Sequence, residues 1–176
     1  MTDDHLTILT TTPEESATVA DIGKTTFYET WRAVNTEEDM LQYMKASFDV
    51  NIIRGEISDS KNNLFLLARF EDKVVGYVKL RRDRTYEEFK GDSTIEIERI
   101  YVKKEFQGWK IGKRLMDRCI EIAKKEQHLW LWLGVNMDNK NAIDFYKLFH
   151  FEVFGTKSFQ LGSAVDQDFL MKLRID

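Results

Sequence analysis

The chain has 176 residues, of which 43% are hydrophobic and 32% charged, a length and composition that fit one globular domain spanning residues 1–176. With 30 acidic and 26 basic residues, its formal net charge of -4 gives no support for non-specific binding to nucleic acid. No stretch approaches the roughly 18 consecutive apolar residues that a membrane-spanning helix needs, so no membrane association is predicted.

The N-terminal segment predicts a strand followed by a helix. Its first residues, MTDDHLTILTTTPEES, contain no positive region followed by an apolar run, so no signal peptide is predicted. Residues 6–10, LTILT, are patterned as a short strand. Thr12 as N-cap, Pro13 at the first helical position and Glu15 three residues after the cap then indicate a helix over 14–32.

Two further helices and a hairpin follow. The segment NTEEDMLQYMKASF predicts a second helix capped by Asn35 or Thr36, and residues 50–58 predict a short third one. Residues 63–82 read as an apolar strand, an EDK turn and a second apolar strand, which is the pattern of a β-hairpin. Residues 83–93 are polar and predict a loop.

Residues 94–102 alternate as a strand, and the segment after them predicts a helix with an apolar stripe at three-to-four spacing. The stripe consists of Leu115, Met116, Cys119, Ile120, Ile122 and Ala123. Cys119 is the only cysteine and is predicted to pack in the core. A single thiol cannot form an internal disulfide, which suits a reducing compartment, so a cytoplasmic location is expected.

The C-terminal third predicts strand, helix, strand and strand, in the segments HLWLWLGVNM, DNKNAIDFYKLFH, FEVFGTKSFQLG and DFLMKLRI. In the first of these strands the leucines share one face and the tryptophans the other. The whole order, β-α-α-ββ-β-α-β-α-β-β, predicts an α/β protein with a mixed sheet and helices on both faces. The strand–helix–strand unit 94–135 should be a parallel, right-handed crossover.

The turn FQGWKIGKR, between the strand 94–102 and its helix, is suited to an anion. The first turn of a helix has unpaired N–H donors and a partial positive charge. Gly108 and Gly112 would let a ligand approach the backbone, and Lys110, Lys113 and Arg114 add cations. A phosphate or pyrophosphate would fit, while the alternative is a plain turn with a solvated basic rim. The P-loop and dinucleotide-binding patterns are absent.

Two carboxylates precede this turn on one side of the strand. By simple alternation Glu96 and Glu98 share a face with Ile100 and Val102. Two neighbouring carboxylates on a half-buried face repel, so the pKa of at least one should rise, which suits a general base that deprotonates an ammonium. The alternative is a solvated face on which the glutamates are exposed or pair with cations near Arg99.

Two motifs connect these segments. Gln107 and Gly112 match a Gln/Arg-x-x-Gly-x-Gly/Ala pattern that opens a helix, although Lys110 stands where its first glycine is usual. A second pattern, Asn-x-x-Ala-x-x-x-Tyr, is complete from Asn139 to Tyr146. In this order on strand, helix, strand and helix, the motifs resemble the acetyl-CoA-binding core of the GNAT superfamily of N-acetyltransferases. Segments throughout the chain, such as TFYETW and VVGYVKL, are similar to the PaiA-type spermidine/spermine acetyltransferases.

The resemblance implies the GNAT fold, a three-layer α/β (α+β) arrangement around a mixed, mostly antiparallel sheet. It also implies that strands 94–102 and 129–136 part like a V and that the pantetheine arm of acetyl-CoA enters the gap. The cofactor-binding residues that it implies are Ile100, Tyr101, Val102, Gln107, Gly108, Trp109, Lys110, Ile111, Gly112, Lys113, Asn139 and Tyr146. His150 stands where a glycine is usual and is expected to be structural, in a left-handed cap.

The activity that the resemblance implies is direct transfer of an acetyl group from acetyl-CoA to a primary amine, with a polyamine such as spermidine or spermine as the expected acceptor. Glu98 or Glu96 would be the base, with Glu98 favoured, and Tyr146 would protonate the leaving thiolate. The alternatives are a protein or peptide amine as acceptor, or a regulator that binds acetyl-CoA without turnover. No metal site is predicted, since the three histidines are scattered, and a homodimer is compatible with such a fold.

The acceptor site is expected between the first two helices and the loop 83–93. The acidic residues available there are Glu29, Glu37, Glu38, Asp39, Glu87 and Glu88. Three aromatic residues, Phe27, Tyr28 and Trp31, could line the site by cation–π contact, with packing in the core as the alternative.

Overall fold

The computed structural model describes residues 5–162 and 164–176, which contain seven strands and five helices. The strands are β1 (Leu6–Thr10), β2 (Asn63–Phe70), β3 (Lys73–Arg81), β4 (Thr94–Val102), β5 (Trp130–Asn136), β6 (Glu152–Leu161) and β7 (Ala164–Arg174). The helices are α1 (Ser16–Trp31), α2 (Glu37–Ser47), α3 (Val50–Ser58), α4 (Ile111–Lys125) and α5 (Lys140–Lys147). In the described part of the chain no helix has the length and apolar character needed to cross a membrane.

The strands form one sheet in the order β1-β2-β3-β4-β5-β7-β6. Every neighbouring pair is antiparallel except β4 and β5, which are parallel and joined by α4. This confirms the predicted mixed, mostly antiparallel sheet and the parallel pairing of the strand–helix–strand unit. The predicted β2–β3 hairpin is also present.

Helices cover both faces of the sheet, as predicted. The amphipathic helices α4 and α5 bury their apolar stripes on one face, where Leu115 and Cys119 are fully enclosed. Burial raises the pKa of the Cys119 thiol, which agrees with the predicted packing role. Helices α1, α2 and α3 form a second core on the opposite face, with Val19, Phe27 and Ile53 among its buried residues.

The predicted start signals position the first two helices. The Thr12 N–H donates to Glu15 Oε2 (3.1 Å), as a capping box requires. A 3₁₀ turn over Pro13–Glu15 comes first, so α1 begins slightly later than predicted. Of the two candidate caps for α2, Thr36 rather than Asn35 has this role, because its hydroxyl accepts a backbone N–H of the first turn.

The segment 83–93, predicted as a polar loop, also contributes to the core. It contains a 3₁₀ turn at Glu87–Phe89, and the Phe89 ring is 1% exposed, packed with Trp132 and Leu170. This small third cluster covers the tryptophan face of β5, which lies opposite its leucine face as predicted. The loop is therefore fixed to the sheet by Phe89 and by the Tyr86 ring, which packs edge-on against Trp132 at a centroid distance of 5.0 Å.

A β-bulge interrupts the regular alternation of β4. Arg99 pairs with Lys79 and Ile97 pairs with Leu80, so Glu98 is an extra residue on β4 with no partner position on β3. Such an insertion bends the strand and shifts the alternation of the side chains by one residue.

The bulge changes which residues share a face with the two glutamates. Glu96 lies between isoleucines of the α4–α5 core and therefore points to the opposite face. Ile100 and Val102 pack against the α4–α5 core, whereas Glu98 forms ion pairs on the other face. The prediction that Glu96 and Glu98 lie on the same face as Ile100 and Val102 is therefore wrong, because the extra residue reverses the pattern beyond it.

Candidate active site

The site begins where β4 and β5 separate. Their parallel ladder contains four residue pairs, from Thr94–Trp130 to Ile97–Leu133. Beyond it β4 continues to pair with β3, and β5 continues to pair with β7. Among the described residues, the backbone of 98–102 therefore has no strand partner on the side of β5, which agrees with the parting that the resemblance implies.

A cleft of about 1120 Å³ occupies this gap. The predicted site residues that line it are Glu96, Glu98, Ile100, Tyr101, Val102, Gln107, Gly108, Lys110, Ile111, Gly112, Lys113, Asn139 and Tyr146. Trp109 is not among them, because its ring packs edge-on against Phe70 and Phe106 with centroid distances of 5.4 and 5.3 Å. The fold thus brings all the predicted site residues except Trp109 into one cleft.

The N-terminus of α4 opens into this cleft. Lys110 caps the helix with φ of 61°, and its carbonyl accepts the first helical bond, from the Arg114 N–H (3.1 Å). The N–H groups of 111–113 precede that bond and have no intrahelical acceptor. Gly108 also has a positive φ, 83°. Lys110 therefore adopts the left-handed conformation that glycine prefers, so its replacement of the motif glycine leaves the path of the turn available.

The packing around Gly112 leaves room at the start of α4. A Cβ placed there would lie 3.7 Å from Phe145 Cζ and 4.0 Å from Val102 Cγ2, which are ordinary contacts. The protein's own packing therefore does not require glycine at this position. A glycine here keeps the cleft open beside unpaired N–H groups, which suits a bound anion such as a diphosphate.

The two glutamates of β4 lie in different electrostatic environments. Glu98 Oε2 is 2.6 Å from Lys79 Nζ, and its other oxygen is 3.8 Å from Arg81. Burial acts to raise the pKa of Glu98, but the charges of Lys79, Arg99 and Arg81 outweigh it and hold that pKa below its usual value. Glu98 is therefore an ionised, paired carboxylate.

Glu96 is the more basic of the two. It is 2% exposed, and its Oε2 atom has no hydrogen-bond partner within the described residues. The nearest cation is Arg84, whose guanidinium is 3.9 Å away and 48% exposed. Burial first, and the charge of Glu98 second, raise the pKa of Glu96. This confirms the expectation that one of the two carboxyl groups has a raised pKa.

Helix α5 brings the second motif to the cleft. Asn139 caps the helix, because its Oδ1 accepts the Ala142 N–H (3.2 Å). Tyr146 lies within the cleft wall and is 8% exposed, and burial raises its pKa, so its hydroxyl stays protonated at neutral pH. His150, just after the helix, has φ of 65°, and its N–H donates to the Lys147 carbonyl, in agreement with the predicted structural cap.

The acceptor side of the cleft differs from the expectation. Of the acidic residues expected there, Glu29 lines the cleft, and its Oε2 accepts the Lys104 N–H (3.0 Å). The others lie outside the cleft wall: Glu37, Glu38, Asp39, Glu87 and Glu88. Phe27 and Trp31 line the cleft and Tyr28 does not, and Phe27 is also a core residue at 3% exposure.

Five charged residues of the cleft were not among the predicted site residues: Arg84, Arg99, Lys104, Lys157 and Asp168. The last two face each other across the β6–β7 ladder, with 4.0 Å between Nζ and Oδ2. Burial raises the pKa of Asp168. No motif marks these residues; strand register brings Arg99, Lys157 and Asp168 to the site, and Arg84 and Lys104 reach it from connecting segments. Within residues 5–162 and 164–176, no three His, Cys, Asp or Glu side chains come together as potential metal ligands.

Comparison with known proteins gives two sequence matches that cover most of the chain. Residues 24–151 match the model of the acetyltransferase (GNAT) family. An uncharacterized N-acetyltransferase of the pepI 3′ region in Lactobacillus delbrueckii subsp. lactis is 33% identical over 151 residues, which is 86% of this chain and 87% of that relative.

Two more distant matches come from Thermoplasma acidophilum. A spermidine N(1)-acetyltransferase is 24% identical over 166 residues, covering 93% of each chain. The crystal structure of a PaiA N-acetyltransferase in complex with coenzyme A superposes with a TM-score of 0.79 at 24% identity, covering 96% of this chain and 98% of that one. At this identity the structural match shows a common fold.

Proposed function

Because this chain belongs to the acetyltransferase (GNAT) family, we propose that its cleft binds acetyl-CoA and that it transfers the acetyl group to a primary amine of a small molecule. Family membership makes the chain an N-acetyltransferase. The observation that carries the cofactor assignment is the unpaired backbone of β4 beside the free N–H groups of α4, in one cleft with Glu96 and Tyr146.

The shape of the site fits the cofactor. The N–H groups of 111–113, with Lys110 and Lys113 beside them, would hold the diphosphate, and the space at Gly112 lets it approach. The unpaired edge at residues 100–102 would pair with the amide groups of the pantetheine arm, as an added strand does. When bound, acetyl-CoA supplies an activated acetyl thioester.

Glu96 is the proposed proton acceptor, in preference to Glu98. An aliphatic ammonium has a reference pKa near 10, so a base must remove a proton before the nitrogen can act as a nucleophile. Glu98, the base favoured from the sequence, is stabilised as an anion by Lys79. Its lowered pKa makes it a weak proton acceptor. The raised pKa of Glu96 and its unpaired oxygen make it the stronger base, acting directly or through a water molecule.

Tyr146 is the proposed proton donor. As the amine nitrogen bonds to the acetyl carbon, the carbon–sulfur bond breaks and a thiolate leaves, and the Tyr146 hydroxyl gives it a proton. Its burial keeps that proton in place at neutral pH until it is needed. A backbone N–H of β4 beyond the parting would stabilise the negative charge on the carbonyl oxygen. A regulator that only binds acetyl-CoA would need neither this hydroxyl nor a buried glutamate with a raised pKa.

That the acceptor is a polyamine such as spermidine or spermine stays a prediction. Its support is the distant spermidine acetyltransferase among the relatives. Of the six acidic residues expected to form a groove for a polyamine, Glu29 lines the cleft, and its carboxylate already accepts a backbone N–H. A peptide amine as acceptor and a homodimeric assembly likewise stay predictions.

The test is thiol release from acetyl-CoA with spermine, spermidine, putrescine, lysine peptides and a blank without acceptor. In parallel, calorimetry measures coenzyme A binding to the wild type, Glu96→Gln and Glu98→Gln. We expect Glu96→Gln to lower kcat/KM by about 10²- to 10⁴-fold, the usual contribution of a general base, with coenzyme A affinity retained. Absence of coenzyme A binding would refute the cofactor assignment, and a larger loss in Glu98→Gln would reverse the choice of base.

A further inference from the structure

Arg99 has a buried hydrogen-bond donor for which the described residues offer no acceptor. The residue follows the bulge on β4, lines the cleft, and places its guanidinium carbon 4.6 Å from the centroid of the Phe48 ring. Its Nη1 atom is buried and has no hydrogen-bond partner in the part of the chain that the structure describes. Leaving a charged donor unsatisfied is unfavourable, so such a group in a binding cleft indicates that its partner arrives with a ligand.

The acidic groups around Arg99 are already engaged. Lys79 holds both Glu56 and Glu98, at 2.7 and 2.6 Å, and Arg81 also contacts Glu98 at 3.8 Å. Within residues 5–162 and 164–176, no ion pair closer than 4 Å includes Arg99. The charges of Glu98 and Glu56 still act on Arg99 from beyond 4 Å, but among these residues its guanidinium has no anionic partner in direct contact, a place that an anionic group of a substrate would take.

Glu96 and Arg99 present complementary charges on the same strand. Each has a buried polar atom that finds no hydrogen-bond partner among the described residues, Oε2 in Glu96 and Nη1 in Arg99. Their Cα atoms are three residues apart, roughly 10 Å in a regular strand and less where a bulge intervenes. The rings of Tyr43 and Phe48 form part of the cleft wall. This arrangement matches a molecule with an ammonium at one end, a carboxylate at the other and methylene groups between.

We propose that the acceptor is an amine that carries a carboxylate, an amino acid in the broad sense, and that Arg99 binds this carboxylate while Glu96 receives the proton of the amine. The proposal rests on the acetyltransferase function proposed above. A polyamine fits Arg99 poorly, because a second ammonium has no lone pair to accept the N–H and carries a charge of the same sign.

The test compares acceptors that differ in one terminal group. Wild-type kcat/KM is measured by thiol release for a series from glycine to 6-aminohexanoate, and for pairs such as 5-aminopentanoate and 1,5-diaminopentane. We expect the best amino carboxylate to exceed its matched diamine by about 10- to 100-fold, the contribution of a hydrogen bond between charged groups. The length of the best acceptor then measures the distance between the two subsites.

Variants connect the preference to Arg99. Arg99→Met should reduce the ratio of kcat/KM for the amino carboxylate to kcat/KM for the diamine by about 10- to 100-fold, while coenzyme A still binds. Arg99→Lys should give an intermediate ratio, because lysine keeps the charge but loses the planar fork. Arg32→Met is the matched control, since Arg32 is an exposed arginine outside the cleft wall that lies over the Tyr28 ring.

The outcomes separate this proposal from the activity on which it rests. Equal or better use of diamines by the wild type would overturn the carboxylate subsite and leave the acetyltransferase function standing. If a folded Arg99→Met or Arg99→Lys protein has the wild-type ratio of kcat/KM for an amino carboxylate to kcat/KM for its matched diamine, the role of Arg99 is overturned. The same ratio in the wild type decides the substrate class even if neither variant folds. If the protein binds coenzyme A but no amino carboxylate causes thiol release from acetyl-CoA, the carboxylate subsite is also overturned. Failure to bind coenzyme A would remove the function itself.

Discussion

Replacement of Lys79 by methionine should strongly destabilise the fold. Lys79 is 1% exposed, and its ammonium lies 2.7 Å from Glu56 and 2.6 Å from Glu98. Removing one partner of a buried ion pair typically costs about 3–5 kcal/mol, because the other charge stays buried without compensation. The Glu56 side chain is 28% exposed and keeps contact with water, and Arg81 still faces Glu98 at 3.8 Å. We therefore expect the lower end of that range, about 3 kcal/mol at pH 7.

The loss should depend on pH. The pKa of Glu98 is lowered in the folded protein from a reference value of 4.5, so its ionised form contributes stability above that value and loses it as the pH falls through the folded-state pKa. Without Lys79 this contribution is largely absent. The difference in unfolding free energy between the wild type and Lys79→Met should therefore be largest near neutral pH and shrink below about pH 4.5.

Urea unfolding followed by circular dichroism at pH 7, 5 and 4 measures this difference. Arg118→Met is the control, because Arg118 pairs with Glu121 on the surface, where the two side chains are 47% and 63% exposed. Exposed pairs contribute about 0–1 kcal/mol. A loss in Lys79→Met no larger than that of the control, or equal at pH 7 and pH 4, would refute the electrostatic reasoning.

Three further expectations concern the cleft. Tyr146→Phe should lower kcat by about 10²- to 10⁴-fold without changing coenzyme A affinity, and unchanged turnover would exclude the acid role. Gly112→Val should weaken coenzyme A binding at least tenfold in calorimetry, whereas Gly55→Ala, in a helix with no atom within 4 Å of the new Cβ, should stabilise the protein by about 0.5–1 kcal/mol and leave binding intact. Equal binding by both glycine variants would argue against the diphosphate site. Lys110→Gly should raise the unfolding free energy by about 1 kcal/mol, because φ at this position is 61°, a left-handed value that is unfavourable for lysine. An unfolding free energy below that of the wild type would contradict this explanation.

Local patterns were sufficient to predict most elements of the fold. The capping box of Thr12 and Glu15 lies within four consecutive residues, so the sequence alone is enough to predict it. The same is true of the amphipathic stripe of α4, which holds Cys119 in the core. The sequence motif from Asn139 to Tyr146 also predicted correctly that these two residues line the cleft. They do so because Asn139 caps the helix in which Tyr146 lies.

Features that depend on pairing between distant segments were beyond such patterns. The bulge at Glu98 results from the register of β4 against β3, and strict alternation has no means of showing it. Phe89 lies in a polar stretch and is buried by strands that follow it in the chain. From the sequence Arg99 was considered only as a neighbour of the glutamates, whereas in the structure it lines the cleft and lies over the Phe48 ring.

The short ladder between β4 and β5 has a consequence for how the protein assembles. It joins a group of four strands, β1 to β4, to a group of three, β5 to β7, through four residue pairs. Each group completes its own antiparallel ladders, and all of these ladders join consecutive strands except that of β5 with β7, between which α5 and β6 intervene. We therefore expect the two groups to form before they join, and two fragments divided within the connection after β4 to associate when mixed. The two proposed catalytic groups would then be reunited across the cut, with Glu96 on one fragment and Tyr146 on the other.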